Sequence, residues 1–179
     1  MKIQKTPIDD LLILEAKVFS DDRGFFLETF NDKLYQELGL RLDWRQDNFS
    51  WSKKNVLRGL HFQRAPHAQA KLVRVVYGKV FDVAVDLRAG SKTFGKYFGV
   101  ELDSDSQRAM YIPEGFAHGF CVLSDFAGFS YKCSQIYAPS FDGGVRYNDP
   151  DIGIRWPVDL PLLSPKDAVL PLLKDFKQS

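Results

Sequence analysis

The stretch Val56-Leu57-Arg58-Gly59-Leu60-His61-Phe62-Gln63 sets an arginine and a histidine three residues apart inside an otherwise apolar run. The two side chains suit different work. A guanidinium grips carboxylate or phosphate oxygens as a fork, whereas an imidazole, with an ordinary pKa of about 6.5, can take up and return a proton near neutral pH. The chain holds only three histidines, His61, His67 and His118, and none forms the close His-x-His or His-x-x-x-His pair common in metal sites. A lone histidine in a β-run is more often a satisfied core or surface residue. His61 differs in its company. Lys71 opens an apolar run, Tyr131 sits in Ser130-Tyr131-Lys132-Cys133-Ser134-Gln135-Ile136-Tyr137, and glycines and aromatics bracket His118 between Tyr111 and Phe120.

The elements that must hold these groups read mostly as strands. Leu11 to Phe19 looks like a strand or strand pair ending in the turn Ser20-Asp21-Asp22-Arg23-Gly24, and Gly24 to Phe30 is aromatic enough for another. Then the period changes. Asn31 is a good N-cap, Leu34, Tyr35 and Leu38 share a helical face, and Gly39 is a plausible stop. From Leu42 to Phe129 short runs follow one another between Gly, Asp, Ser and Pro turns: Leu57 to Phe62, Lys71 to Tyr77, Val80 to Asp86, Tyr97 to Leu102, Ala109 to Ile112 and Gly119 to Leu123. That spacing marks a sandwich or barrel. In Val80 to Asp86 the residues Phe81, Val83 and Val85 share one face, read as core, while Asp82, Ala84 and Asp86 share a polar one that faces solvent or the lumen of a small barrel. Near the C-terminus, Ser164 at an N-cap, Pro165 at the first helical position and Asp167 three residues after the cap should open a short helix that Pro171 interrupts.

Bulk properties narrow the class. A chain of 179 residues fits one domain, residues 1–179, without staples. With 24 Lys plus Arg against 23 Asp plus Glu, the formal charge of +1 gives no long-range attraction to nucleic acid or an anionic membrane, so local groups must hold any anionic ligand. Cys121 and Cys133 are too few for a disulfide framework, and neither a basic-then-apolar leader nor a membrane-length apolar run is present, which reads as a cytoplasmic protein.

Several motifs occur together in order: Asp22-Arg23-Gly24-Phe25-Phe26, Gln46-Asp47-Asn48, Asn55 through Gln63, Lys71-Leu72-Val73-Arg74, Phe81 through Arg88, Ile112 through Phe120, Tyr131-Lys132 and Trp156-Pro157. In these the chain strongly resembles the dTDP-4-dehydrorhamnose 3,5-epimerases, from about Ile3 to about Leu173. The resemblance implies a cupin-like antiparallel jelly roll with a few short helices, metal-free and cofactor-free, working as a homodimer. It also implies a reaction: inversion of C3 and C5, the centres flanking the C4 ketone of dTDP-4-dehydro-6-deoxy-D-glucose, on the way to dTDP-rhamnose. The bottom-up reading alone reaches the all-β class.

That chemistry needs a base, an oxyanion partner and an acid, because loss of a proton beside a ketone leaves an enolate and inversion returns the proton from the opposite face. By resemblance His61 is the base, Asp167 orients and stabilises it, Tyr131 is the acid, Lys71 steadies the enolate oxygen and His118 contacts substrate. Arg23, Phe26, Glu28, Gln46, Asp47, Asn48, Arg58 and Lys166 match positions that contact the nucleotide sugar, and Tyr137 matches an aromatic that stacks on thymine. Asp142 stands where a Glu often contacts substrate, and Ile136-Tyr137 where many members carry two tyrosines. The alternative activity is therefore a single-centre epimerase of a related dTDP-4-keto sugar.

Strand parity bears on two of these assignments. On one ideal strand Tyr131, Cys133, Gln135 and Tyr137 would point the same way, whereas Arg58 and His61 would point oppositely, so either Gly59 permits a bulge, which we favour, or Arg58 sits at the barrel mouth. Taken singly, each residue has a plainer role. Asp167 could serve only as a helix N3 residue, Lys71 as a solvated strand end, Tyr131 as a core aromatic and Gln46-Asp47-Asn48 as a polar loop. A non-catalytic carbohydrate-binding module and a metal-dependent cupin are the competing classes, and the second needs clustered ligands that the sequence lacks.

Overall fold

The computed structural model describes residues 1–40 and 43–176, so the expected start of the strand series at Leu42 lies outside the described residues. In chain order the strands are β1 (Lys2–Lys5), β2 (Leu12–Glu15), β3 (Val18–Asp21), β4 (Gly24–Leu27), β5 (Gln46–Lys53), β6 (Leu57–Gln63), β7 (Lys71–Tyr77), β8 (Lys79–Asp86), β9 (Tyr97–Asp103), β10 (Arg108–Ile112), β11 (Phe116–Val122), β12 (Phe126–Cys133) and β13 (Asp142–Gly144). Two short helices, α1 (Asp32–Glu37) and α2 (Pro165–Ala168), complete the regular structure apart from single turns of 3-10 helix. A six-stranded sheet ordered β1-β2-β10-β7-β12-β5 packs over a five-stranded sheet ordered β13-β6-β11-β8-β9, and β3 with β4 forms a separate hairpin. Pairing is antiparallel throughout both sheets, giving the expected all-β, cupin-like sandwich.

Local signals explain the helices. The Asn31 side chain accepts a hydrogen bond from the Leu34 amide at 3.1 Å, and Gly39 takes the left-handed φ of +81° that ends α1. Ser164 does the same for α2, its hydroxyl accepting from the Asp167 amide at 3.1 Å. The α2 turn is short because it stops at Ala168, ahead of Pro171.

Two alternatives left open by the sequence are decided here. Gln46-Asp47-Asn48 is not a loop but the start of edge strand β5, whose even positions turn inward while Asp47, Phe49, Trp51 and Lys53 face out. In β8 neither face is exposed to solvent. Val80 and Ala84 join Val73, Val75 and Phe129 between the sheets, while Val83, Val85 and Phe81 pack with Leu60, Ile152 and Trp156 on the far side. The segment carrying Val145, Ile152, Trp156 and Leu173 crosses that outer face, a tertiary contact that period-two alternation cannot announce.

The cross-strand register near His61 contains one extra residue. His118 pairs with His61 but Phe120 pairs with Arg58, so three steps on β6 oppose two on β11. This is the bulge favoured from sequence, and it turns Arg58 to the same side as His61. Its centre is Gly59, with φ +125° and a cis peptide bond to Leu60. A Cβ at Gly59 would lie 2.6 Å from the Gly119 Cα and 2.8 Å from the His118 carbonyl oxygen, so the two strands touch backbone to backbone.

At the far end of β8, where Asp86 pairs with Phe116 of β11, a carboxylate clip fastens the turn from Arg88 to Thr93. Burial pushes the Asp86 carboxyl up, but hydrogen bonds from Arg88, Ser91 and Thr93 outweigh it and hold the pKa at about 2. The Arg88 guanidinium also lies 4.7 Å from the centre of the Phe116 ring.

Gly59→Ala should lower the unfolding free energy by on the order of 2–3 kcal/mol, through positive φ and backbone overlap together. A urea midpoint equal to wild type would contradict this account of the bulge. Because the Asp86 pKa is depressed in the folded state, its stabilisation is full above the ordinary carboxylate range and is lost as pH falls through about 2. The stability gap between wild type and Asp86→Asn should therefore be flat near neutrality and shrink between about pH 4 and pH 2; a gap independent of pH over that range would refute the clip.

Candidate active site

The two sheets enclose a cleft of about 670 Å³ whose walls come from β5, β6, β7, β11, β12 and the stretch from Leu162 to Asp167. His61, Lys71, His118, Tyr131, Asn48, Arg58, Lys166 and Asp167 all line it. The sequence scatters these residues over about two thirds of the chain, and antiparallel pairing gathers them.

His61 and Asp167 form the centre. The His61 Nε2 lies 2.5 Å from the Asp167 carboxylate, whose side chain is only 4% exposed. With Nε2 so engaged, Nδ1 is the ring nitrogen left for a ligand. Burial pushes the Asp167 carboxyl up, but the His61 hydrogen bond, the nearby imidazole, Ser164 and the Gly59 amide together bring it below the usual carboxylate range. Asp167 is thus both the N3 residue of a capped turn, by its amide, and a buried anion fixed against β6, by its carboxylate. One residue carries both readings of its sequence position.

On the opposite sheet, Lys71 is buried at the head of β7 and its ammonium donates to the His61 carbonyl at 3.4 Å. Burial lowers the Lys71 pKa, opposed by Cys133, Asp142 and Asp82. Tyr131, on β12, is raised by burial above the ordinary phenol range, so it holds its proton. His118 stacks near Phe129 at 5.9 Å and hydrogen-bonds through Nε2 to both oxygens of Asp82, at 3.0 and 3.1 Å. Burial lowers the His118 pKa, with Asp82 opposing. Asp82, fully buried, is the residue that sequence reading left out of the site. Its signal was an acid at the parity opposite Phe81 in an apolar strand, and the lumen reading, not solvent, is the one that applies.

Arg58 reaches the cleft through the bulge, its Nε donating to Ser52 at 3.1 Å. Lys166 pairs with Asp142, which also accepts from the Tyr137 hydroxyl at 3.2 Å. Asp142 and Tyr137 stand on a rim beside the cleft lining. Tyr137 does not share a strand with Tyr131, because β12 ends at Cys133. Instead, the Gln46 side chain accepts from the Tyr137 amide at 2.7 Å and donates to Asn48 at 2.9 Å.

Seven expected site residues do not line the cleft of this single chain: Gln46, Tyr137 and Asp142 stand beside it, and Arg23, Phe26, Glu28 and Asp47 lie apart from it. The Asp47 carboxylate projects from the outer face and pairs with Lys132 at 2.9 Å. Arg23, Phe26 and Glu28 lie on or just after the β3–β4 hairpin, where Arg23 pairs with Asp21 at 2.5 Å and Phe26 is 69% exposed. Among the described residues, no group of three or more His, Cys, Asp or Glu is placed to hold a metal ion, and no helix is long and apolar enough to cross a membrane.

This arrangement has close counterparts. A family profile described as dTDP-4-dehydrorhamnose 3,5-epimerase matches residues 5–175. The dTDP-4-dehydrorhamnose 3,5-epimerase of Salmonella typhimurium strain LT2 is 56% identical over 175 residues, which cover 97% of this chain and 96% of that one. Among solved structures, a dTDP-6-deoxy-D-glucose-3,5-epimerase of Legionella pneumophila Philadelphia 1 in complex with dTDP-4-keto-L-rhamnose superposes with a TM-score of 0.95 at 50% identity, covering 98% of this chain and 94% of that one. The dTDP-4-dehydrorhamnose 3,5-epimerase of Elizabethkingia anophelis NUHP1 gives a TM-score of 0.94 at 50% identity over 98% of this chain and 97% of that one. The profile match over residues 5–175, with 56% identity to a relative covered almost end to end, makes this chain a member of the dTDP-4-dehydrorhamnose 3,5-epimerase family.

Proposed function

We propose that the chain is an isomerase that inverts C3 and C5 of dTDP-4-dehydro-6-deoxy-D-glucose to give dTDP-4-dehydro-L-rhamnose, with residues 1–179 acting as one catalytic domain without a cofactor. One observation carries the reading. His61, bound to a buried carboxylate, lines the cleft from one sheet while Tyr131 lines it from the other. A sugar between them meets a base on one side and a protonated phenol on the other, which is what inversion at carbon requires.

The reaction follows from that geometry. His61 takes the proton beside the C4 ketone, through the nitrogen that Asp167 leaves free, and the Asp167 carboxylate stabilises the imidazolium so formed. Charge moves onto the C4 oxygen as an enolate, where the Lys71 ammonium is the cation available and His118 is a further polar neighbour. Tyr131 then delivers a proton from the opposite side; once His61 has released its proton to solvent and Tyr131 has taken one up from solvent, repetition at the second carbon completes the product. Arg58 and Lys166 suit the diphosphate, Asn48 and Gln46 the polar edge of thymine, and Tyr137 its face.

Arg23, Phe26 and Glu28 have no place in the cleft of their own chain, although the family resemblance links them to the nucleotide. A homodimer in which the hairpin of a second copy reaches this cleft accounts for that, and for Phe19, Phe25 and Phe26 standing exposed on a two-stranded ribbon. Such an enzyme of nucleotide-sugar metabolism belongs in the cytoplasm.

Incubation of enzyme and 4-keto substrate in D₂O should introduce deuterium at both C3 and C5, read by NMR. Label at one carbon only would establish the single-centre activity raised by Ile136, and no label above an enzyme-free control would remove the epimerase reading. His61→Asn should abolish exchange at both carbons, by a factor of about 10² to 10⁴ or more, while dTDP affinity stays within about threefold; a variant that still turns over at the wild-type rate rules His61 out as base. Tyr131→Phe should allow loss of the substrate proton to solvent yet slow formation of the epimer, and undiminished epimer formation would count against Tyr131 as the acid.

A further inference from the structure

Gln63 ends the strand that carries His61 and is 5% exposed, yet nothing in the proton-transfer scheme uses it. A buried primary amide must satisfy one carbonyl and two N–H groups or lose stability. All three are engaged, and each partner lies in a loop. The Gln63 Nε2 donates to the His67 carbonyl at 2.7 Å and to the Ile136 carbonyl at 3.3 Å, while its Oε1 accepts from the Ala138 amide at 2.7 Å. The flanking backbone adds to the same join, for Gln63 pairs with Asp142 in β13 and the Arg64 amide donates to the Phe141 carbonyl at 2.9 Å.

The consequence concerns the rim from Ile136 to Asp142. After β12 ends at Cys133 this stretch contains one turn of 3-10 helix, from Pro139 to Phe141, and the three-residue strand β13. It presents Tyr137, half exposed, and Asp142, the partner of Lys166. Two glutamines from different sheets grip consecutive amides of this rim: Gln46 of β5 takes the Tyr137 amide at 2.7 Å and Gln63 of β6 takes the Ala138 amide at 2.7 Å. Held from both sides, the Tyr137 ring is presented in one place beside the cleft that holds His61. The replacement of a family tyrosine by Ile136 leaves the clamp whole, because this residue contributes its carbonyl and keeps its side chain 61% exposed.

We propose that Gln63 is a positioning residue for nucleotide recognition, clamping the Ile136 to Asp142 rim so that Tyr137 meets the thymine of the substrate. It acts through Tyr137 and makes no contact with the reacting carbons. The inference rests on the assignment of Tyr137 to the thymine in the proposed function.

The test separates binding from chemistry. Gln63→Leu removes all three hydrogen bonds, and Gln63→Glu keeps the acceptor for Ala138 while setting an oxygen against two carbonyls. Loss of one such buried bond is a factor of about ten in an equilibrium constant. Gln63→Leu should therefore raise both KM and the calorimetric Kd for dTDP by about tenfold or more, with kcat at saturation within about threefold of wild type. Gln63→Glu should fall between the two, and takes the place of Gln63→Leu if the latter does not fold. In a Tyr137→Ala background the same Gln63 change should move the dTDP Kd by less than about twofold. An unchanged Kd, a fall in kcat at unchanged Kd, or full additivity with Tyr137→Ala would overturn the proposal. A side chain that only fills space would lower the melting temperature without separating KM from kcat. If wild type neither exchanges deuterium nor binds dTDP, the functional reading itself fails; if wild type does both and Gln63→Leu matches it, only the clamp fails.

Discussion

A single hydrogen bond of 2.5 Å between the His61 ring and the Asp167 carboxylate joins the two ends of this chain's chemistry. The two residues are 106 positions apart, and the carboxylate is buried, so its charge is tolerable only while the imidazole, the Ser164 cap and the Gly59 amide surround it. That requirement extends outward. The α2 turn lies against β6, Leu162 is anchored just before it beside Val56 and Leu57, and the Gly59 amide at the bulge meets the carboxylate itself. The same bulge brings Arg58 round to the cleft. Ordinary β-sheet parity would have sent the arginine and the histidine to opposite faces, so a local departure from regular structure is what makes them one site.

The two sheets divide the labour. The five-stranded sheet carries His61 and His118 on paired strands, with Asp82 on the next strand below His118, while the six-stranded sheet carries Lys71 and Tyr131. Burial acts on these groups in a consistent direction, loosening the protons of Lys71 and His118 and tightening that of Tyr131. Burial penalises charge on each of them, the carboxylates of Asp142 and Asp82 oppose it at Lys71, and the paired Asp167 carboxylate adds to the field a substrate meets. The rim from Ile136 to Asp142 sits beside this cleft, fastened to both sheets by two glutamine side chains.

Much of this was legible in the sequence, for reasons that differ by element. Strands such as β7 and β10 lie where the apolar runs between turn residues put them, and Asn31 marked the start of α1 through the chemistry of its own side chain. The bulge was foreseeable because a glycine stood between two residues that parity kept apart. What escaped depends on distant chain. Gln46-Asp47-Asn48 has the composition of a loop and becomes a strand only because β12 lies beside it. Tyr137 seemed to continue the alternation of Tyr131, but the strand ends at Cys133 and Gln46 and Gln63 carry the next turn elsewhere. Likewise Asp82 showed only as one polar position in an alternating strand, since its partner His118 lies 36 residues away.

The central claim is that Asp167 holds His61 as a base and stabilises it once protonated. Replacing Asp167 by Asn keeps the shape but removes the charge and presents an amide that can donate to Nε2, favouring the wrong ring tautomer. Steady-state epimerisation by Asp167→Asn, with dTDP affinity measured in parallel, tests this most directly. The account predicts a fall in kcat of about 10⁴, with affinity for dTDP nearly unchanged. A kcat within about tenfold of wild type would contradict it.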